Sequence, residues 1–186
     1  MTEKTKILVE GALFAALATL LSVVIPNVEW GDLSLGLIPL VLYSVRRGVR
    51  MGLLAGLLWG LLIIVSGHAY ILNIWQGLLE YPVANLLVGL AGLYTSAVQR
   101  AIQAGERKKE RILLLAAVVT AVFLKYFVHF IAGIIFWGSY VQWGLGPILY
   151  SLVVNGGSFI LNIVVTGGLL LAMTARDTRL LLPQNK

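Results

Sequence analysis

Six apolar runs, at roughly residues 5–25, 34–45, 49–66, 71–98, 109–135 and 147–173, take up most of this 186-residue chain. Runs of this kind are too long for the core of a small soluble domain, and about 20 apolar residues in helical form cross a bilayer. Lipid offers no partner to backbone N–H and C=O groups, so a spanning segment must satisfy them within itself, as a helix does. The expected fold is therefore all-α: one polytopic domain over residues 1–186 with six transmembrane helices. Composition agrees, since 59% hydrophobic against 12% charged residues leaves too few charges for a soluble shell. The second run is short and holds Pro39, which predicts a tilted or partly spanning helix; the fourth and fifth are long enough to project beyond the bilayer. Gly52, Gly56 and Gly60 repeat at a spacing that lets helix backbones approach, a packing device. The weakly basic start, Met1–Lys6, leads into an apolar stretch with no small-residue cleavage site, and is read as the first membrane helix.

The basic residues set the expected orientation. Thirteen of fourteen Lys and Arg flank the runs on one side: Lys4 and Lys6, Arg46, Arg47 and Arg50, the group from Arg100 to Arg111, and Arg176, Arg179 and Lys186. The alternate loops, 26–33, 67–70 and 136–146, have none. By the positive-inside rule the basic side is cytoplasmic, with both termini inside. The net charge of +6 is thus a topology signal and implies no nucleic-acid partner. Without cysteine there is no thiolate chemistry, and without a Walker sequence no P-loop nucleotide hydrolysis.

The opposite side carries different chemistry. Glu29, Trp30, Asp32, His68, Tyr70, Trp75, Trp137, Tyr140, Trp143 and Tyr150 collect there, including four of the five tryptophans. An interfacial aromatic belt accounts for part of this set, Trp143 and Tyr140 first. Polar residues inside the runs need another reason. Glu80 lies about nine residues into the fourth run, on the order of 14 Å deep at ~1.5 Å per residue. His129 and Asn155 sit in the outer halves of the fifth and sixth. Ionisable groups at such depth are costly and usually face a cavity or one another, which marks a substrate site; an interhelical hydrogen-bond network is the plainer alternative. Lys125, one turn deeper than His129, roughly matches Glu80 in depth, so an ion pair between them would make Glu80 less available to a ligand. A carboxylate among aromatic faces suits a cationic ring, and an acidic rim of Glu29 and Asp32 would draw cations in. One Glu with two distant His and no Cys is a poor metal set, so neither metal nor cofactor is expected.

Several segments resemble the thiamine-specific S-components of energy-coupling factor transporters: Gly67–Leu72 (GHAYIL), Leu79–Tyr81 (LEY), Leu124–Trp137 (LKYFVHFIAGIIFW) and Tyr150–Asn155 (YSLVVN), with Ile38-Pro39 and Arg46-Arg47-Gly48. The resemblance covers essentially the whole chain. It implies a bacterial plasma-membrane protein that is no enzyme but captures thiamine from outside with high affinity. It also implies partners: a transmembrane coupling subunit and two cytoplasmic ATPases. Carried over motif by motif, the ligand contacts fall on Trp30, Tyr70, Glu80, His129, Trp137, Tyr150 and Asn155. The rings of thiamine would lie against Trp30, His129 and Trp137, while Glu80, Tyr150 and Asn155 hydrogen-bond the aminopyrimidine. One position departs: some members carry a glutamate five residues before the proline of helix 2, where this chain has Ser34. Glu29 and Asp32 are the nearby carboxylates, though neither matches in position. Ala12 and Ala16 form a small-xxx-small pair resembling the docking surface for the coupling subunit; packing within the bundle reads the same pair differently.

Other classes compete. The chain would suit another cationic heteroaromatic vitamin or precursor, and His129 with Glu80 offers acid–base groups for an intramembrane enzyme, although no nucleophile accompanies them. A purely structural membrane protein would need the aromatics only as a belt.

Overall fold

The computed structural model describes residues 2–24 and 31–183, so Glu29 and Trp30 lie outside the described residues. Six principal helices occur among them: α1 Glu3–Val24, α2 Leu37–Arg47, α3 Val49–Val65, α4 Ile74–Gln103, α5 Arg107–Phe136 and α6 Pro147–Arg176. Four of these, α1, α4, α5 and α6, are long and apolar enough to cross a membrane; α3 is apolar but shorter. The 30-residue helices α4, α5 and α6 measure about 45 Å, more than a hydrocarbon core of about 30 Å, so each tilts or projects. Helix α2, at 11 residues, reaches only about 16 Å.

That short helix is the buried centre of the bundle. Leu37, Leu40, Val41, Tyr43 and Val45 are almost fully enclosed, and Pro39 sits in the first turn, where its missing N–H costs no helical bond. Gly48 joins α2 to α3 with a φ of +86°, a left-handed joint that glycine supplies without strain. At the end of α2, Arg46 and Arg47 both pair with Glu10 of α1, at 3.2 and 2.5 Å.

The glycine ladder does pack backbones. A Cβ on Gly56 would run into the carbonyl of Asn85, and one on Gly60 into that of Tyr81, so α3 lies directly on α4. Gly89 of α4 answers with equal closeness to Leu53. Without a hydrophobic difference between lipid and side chain, such contact is what holds membrane helices together. Helix α1 is the least enclosed of the four long apolar helices, with 17% of its most apolar window buried against 33–44% for the others. It docks through Gly11, Ala15 and Ala18, leaving Ala12 and Ala16 on its exposed face.

Helix α6 carries a polar seam. Ser151, Ser158, Asn162, Thr166 and Thr174 recur at near-helical spacing and are all buried. The same face holds Asn155, half-buried. This seam turns toward α5 and the 31–36 segment, and it positions the site.

Candidate functional site

The site begins where α4 begins. Asn73 caps the helix, its side-chain oxygen accepting from the backbone N–H of Trp75 and Gln76, each at 3.0 Å. Two turns in, Pro82 cannot donate to the helical ladder, and the chain widens into one π turn over Leu79–Val83. Such turns accommodate a missing donor and often sit at functional positions. Glu80 lies in this turn and is 7% exposed. Both of its oxygens are held: Gln76 Nε2 donates to one at 2.5 Å and Trp137 Nε1 to the other at 2.6 Å.

Aromatic rings surround that carboxylate. Tyr70 lies 5.5 Å from Trp137, centroid to centroid, and Tyr140 meets Trp137 edge-on at 5.4 Å. Tyr140 therefore belongs beside the site as much as to an interfacial belt. The 66–73 loop is fixed by the same residues: the Tyr81 hydroxyl accepts from Tyr70 N at 2.7 Å, while Gln76 spans from Leu72 N and Tyr70 O to Glu80. Tyr70, Glu80 and Trp137 thus form one outer cluster. Gln76 and Tyr81 complete it, and sequence reasoning passed over both.

The ion pair between Glu80 and Lys125 does not form. Helix α4 starts at Ile74, so Glu80 is six residues in and shallower than the run 71–98 implies. Lys125 lies twelve residues before Trp137 on α5, about 18 Å along the axis. Its ammonium instead donates to Ser34 Oγ at 2.9 Å and stands 3.5 Å from Asp32 Oδ2, above the rings of Trp59 and Tyr126 at 5.1 and 5.4 Å. Asp32 is accordingly no surface rim residue. Its segment is drawn against α5 and α6.

Between these two levels sit His129 and Asn155. His129 packs at 5.8 Å from Tyr126, and its Nε2 is buried with no hydrogen-bond partner among the described residues. An orphaned ring nitrogen in an apolar setting is costly unless something else meets it. Across from it Ser151 donates to Phe130 O at 2.8 Å, tying α6 to α5, and Asn155 Nδ2 lies 3.1 Å from both Ser151 O and Ser151 Oγ. Gly133 leaves no room for a Cβ against Ser151, which brings α6 close to α5 at the level of Asn155.

The inner end is a dense polar network. Tyr126 donates to Asp32 Oδ2 at 2.8 Å, Asn162 Nδ2 donates to Asp32 O at 2.6 Å and to the Tyr126 hydroxyl at 2.8 Å, and Asp32 N donates to Ser158 Oγ at 2.9 Å. Ser34 N donates to Asn162 Oδ1 at 2.9 Å. Asn162 and Tyr126, both missed from sequence, are its hubs. Asn162 lies in the sixth run on the face of Asn155, and the rule that selected Asn155 applied to it equally.

Of the expected ligand residues, Tyr150 packs on Trp143 at 5.2 Å; Trp30 is outside the described residues. A separate, wholly apolar hollow of about 250 Å³ opens between α5 and α6, lined by Phe123, Phe127, Phe130 and Leu152 and sharing Tyr126 and Asn155 with the polar column. Phe123, Phe127 and Leu152 are about half exposed. Among the described residues no three His, Asp or Glu gather as a metal site. What the column offers is a carboxylate beside packed aromatic rings at one end, an imidazole nitrogen without a hydrogen-bond partner among the described residues midway, and a carboxylate–ammonium pair at the other.

A family model described as thiamine transporter protein matches residues 8–182. The thiamine transporter ThiT of Lacticaseibacillus paracasei is 40% identical over 173 residues, spanning 88% of this chain and 86% of that protein. ThiT of Bacillus subtilis is 32% identical over 178 residues, spanning 94% and 93%. Among solved structures, ThiT from Listeria monocytogenes superposes with a TM-score of 0.94 at 34% identity, covering 98% of this chain and all of that one.

Proposed function

Since the chain belongs to the thiamine transporter protein family, a family of multi-pass bacterial plasma-membrane proteins and not of enzymes, we propose that it binds thiamine in the column between Glu80 and His129. The observation that carries this reading is the Glu80 carboxylate. It is buried, fixed by two donors and set beside the Trp137 and Tyr70 rings. A carboxylate has about four acceptor positions; two are in use, so the amino group of a pyrimidine can take another without breaking the pair of bonds. Stacking on Trp137 adds the aromatic contact that a cationic heterocycle favours. His129 Nε2 and the Asn155 amide, deeper on α5 and α6, supply polar partners toward the middle of the ligand. Tyr150 and Trp30 complete the set by family pattern.

In this reading the protein is an S-component: it captures thiamine from the outer face, its basic ends lie in the cytoplasm, and it is coupled to a membrane subunit and two cytoplasmic ATPases. The exposed side of α1 supports the coupling role. Ala12 and Ala16 are not spent on internal packing, and Leu13, Leu17 and Leu20 beside them are 66%, 45% and 59% exposed. A small-residue face left open on the least enclosed long helix suits close approach of a partner helix.

Thermal stability of the detergent-purified protein tests the binding reading. Saturating thiamine should raise the melting temperature, because a ligand that binds only the folded state stabilises it by mass action. An unchanged transition at thiamine concentrations up to the millimolar range would overturn it.

A further inference from the structure

Gln76 stands in the first turn of α4 and is 0% exposed, so every hydrogen-bonding group of its amide needs a partner within the fold. We propose, resting on the thiamine-binding reading, that Gln76 is a positioning residue that sets specificity: its amide holds Glu80 as a hydrogen-bond acceptor, so that the site takes an aminopyrimidine and rejects the oxo form of the same ring.

The orientation of the amide follows from its partners. Its Oε1 accepts from Leu72 N at 2.9 Å, and its Nε2 donates to Tyr70 O at 3.2 Å and to Glu80 Oε2 at 2.5 Å. A backbone N–H can only donate, so Leu72 fixes which end of the amide carries the oxygen, and both N–H groups are turned to the remaining two partners. The other oxygen of Glu80 meets Trp137 Nε1 at 2.6 Å, again a group that can only donate. With an N–H on each oxygen, Glu80 keeps lone pairs for the ligand and calls for a donor there. An amino substituent supplies one, whereas a ring carbonyl at the same place sets oxygen against oxygen. A site built to bond one polar group discriminates strongly against a ligand that cannot complete the bond. The same amide ties the backbone of Tyr70 to the carboxylate, so one side chain sets both an aromatic face and the acceptor beside it.

A role confined to bracing the 66–73 loop predicts different behaviour, and an exchange of the two side chains separates the accounts. The probes are thiamine and its analogue with a ring carbonyl in place of the amino group, titrated calorimetrically into wild type, Gln76→Met and Gln76→Glu/Glu80→Gln. In Gln76→Met one oxygen of Glu80 loses its donor and is free to turn, or to present a proton, toward a carbonyl. The exchange keeps the charge of the pair and matches donors to acceptors again. Its introduced carboxylate accepts from Leu72 N and from the introduced amide, whose carbonyl accepts from Trp137. The second N–H of that amide then faces the ligand, which inverts the polarity of the site. The preference for thiamine over the oxo analogue should fall at least about tenfold in both variants, as for one bond to a charged group. The exchange should also melt higher than Glu80→Gln alone, in which two donors compete for one carbonyl. A preference within about threefold of wild type in either folded variant, with both ligands weakened in parallel, would reduce Gln76 to a brace of the loop and overturn the proposal. An exchange variant that melts no higher than Glu80→Gln would do the same, since independent losses add; this comparison stands even where Gln76→Met does not fold. Wild type binding neither ligand would instead remove the thiamine reading itself.

Discussion

Replacing Glu80 by Gln keeps the shape of the side chain and removes its charge, and the structure sets what this costs. Glu80 accepts from Gln76 Nε2 and Trp137 Nε1 through different oxygens. A glutamine can present its carbonyl to one of these donors, but its amide then points N–H groups at the other. One hydrogen bond is lost and a buried donor is left unmet, a stability loss of about 1–3 kcal/mol. The ligand loses a charge-assisted bond as well, about 1.5–3 kcal/mol, or roughly 10- to 150-fold in affinity. The two effects are read separately, by thermal unfolding without ligand and by titration with thiamine at a temperature where the variant is folded. Because Lys125 is engaged by Ser34 and Asp32, the variant strands no cation, and its stability should not fall by the 3–5 kcal/mol expected when a buried ion pair is broken. A folded Glu80→Gln protein with thiamine affinity within about threefold of wild type would refute the assignment of Glu80 to the ligand.

Other outcomes follow from the same geometry. Trp137→Ala removes both a stacking face and a donor to Glu80 and should weaken thiamine by at least about tenfold, whereas Trp143→Ala, on a ring 54% exposed, should change titration curves little. Ala12→Trp with Ala16→Trp should abolish thiamine uptake by cells while leaving binding by the purified protein intact; retained uptake at normal expression would return those alanines to lipid contact alone. Single cysteines at Ala104 and Val141 should be labelled by an impermeant reagent from the cytoplasmic and the outer side respectively, and labelling of position 141 from inside would overturn the orientation.

Much of the fold is legible because lipid imposes one rule on every segment: the six runs and the six helices agree within a few residues at most ends. The discrepancies come from local chemistry. The fourth run begins at 71 by hydropathy, but the Asn73 cap starts the helix at Ile74, which moves Glu80 toward the surface and away from Lys125. The second run looks like a weak span and is instead the enclosed core, since hydropathy does not distinguish lipid from protein as surroundings. Glu80 and His129 were found because a charge or imidazole in an apolar run has few explanations. Gln76, Tyr126 and Asn162 were missed because each is ordinary by type and becomes informative only through partners distant in sequence: Asn162 and Asp32 are 130 residues apart. Asp32 misled for the same reason. A loop aspartate reads as a surface rim until α5 and α6 are seen to close on it.

Isothermal titration of the purified wild-type protein with thiamine tests the central claim most directly. One saturable site per chain is predicted, with affinity lost in Glu80→Gln and retained in Trp143→Ala; no saturable heat, or equal binding by all three proteins, would contradict it.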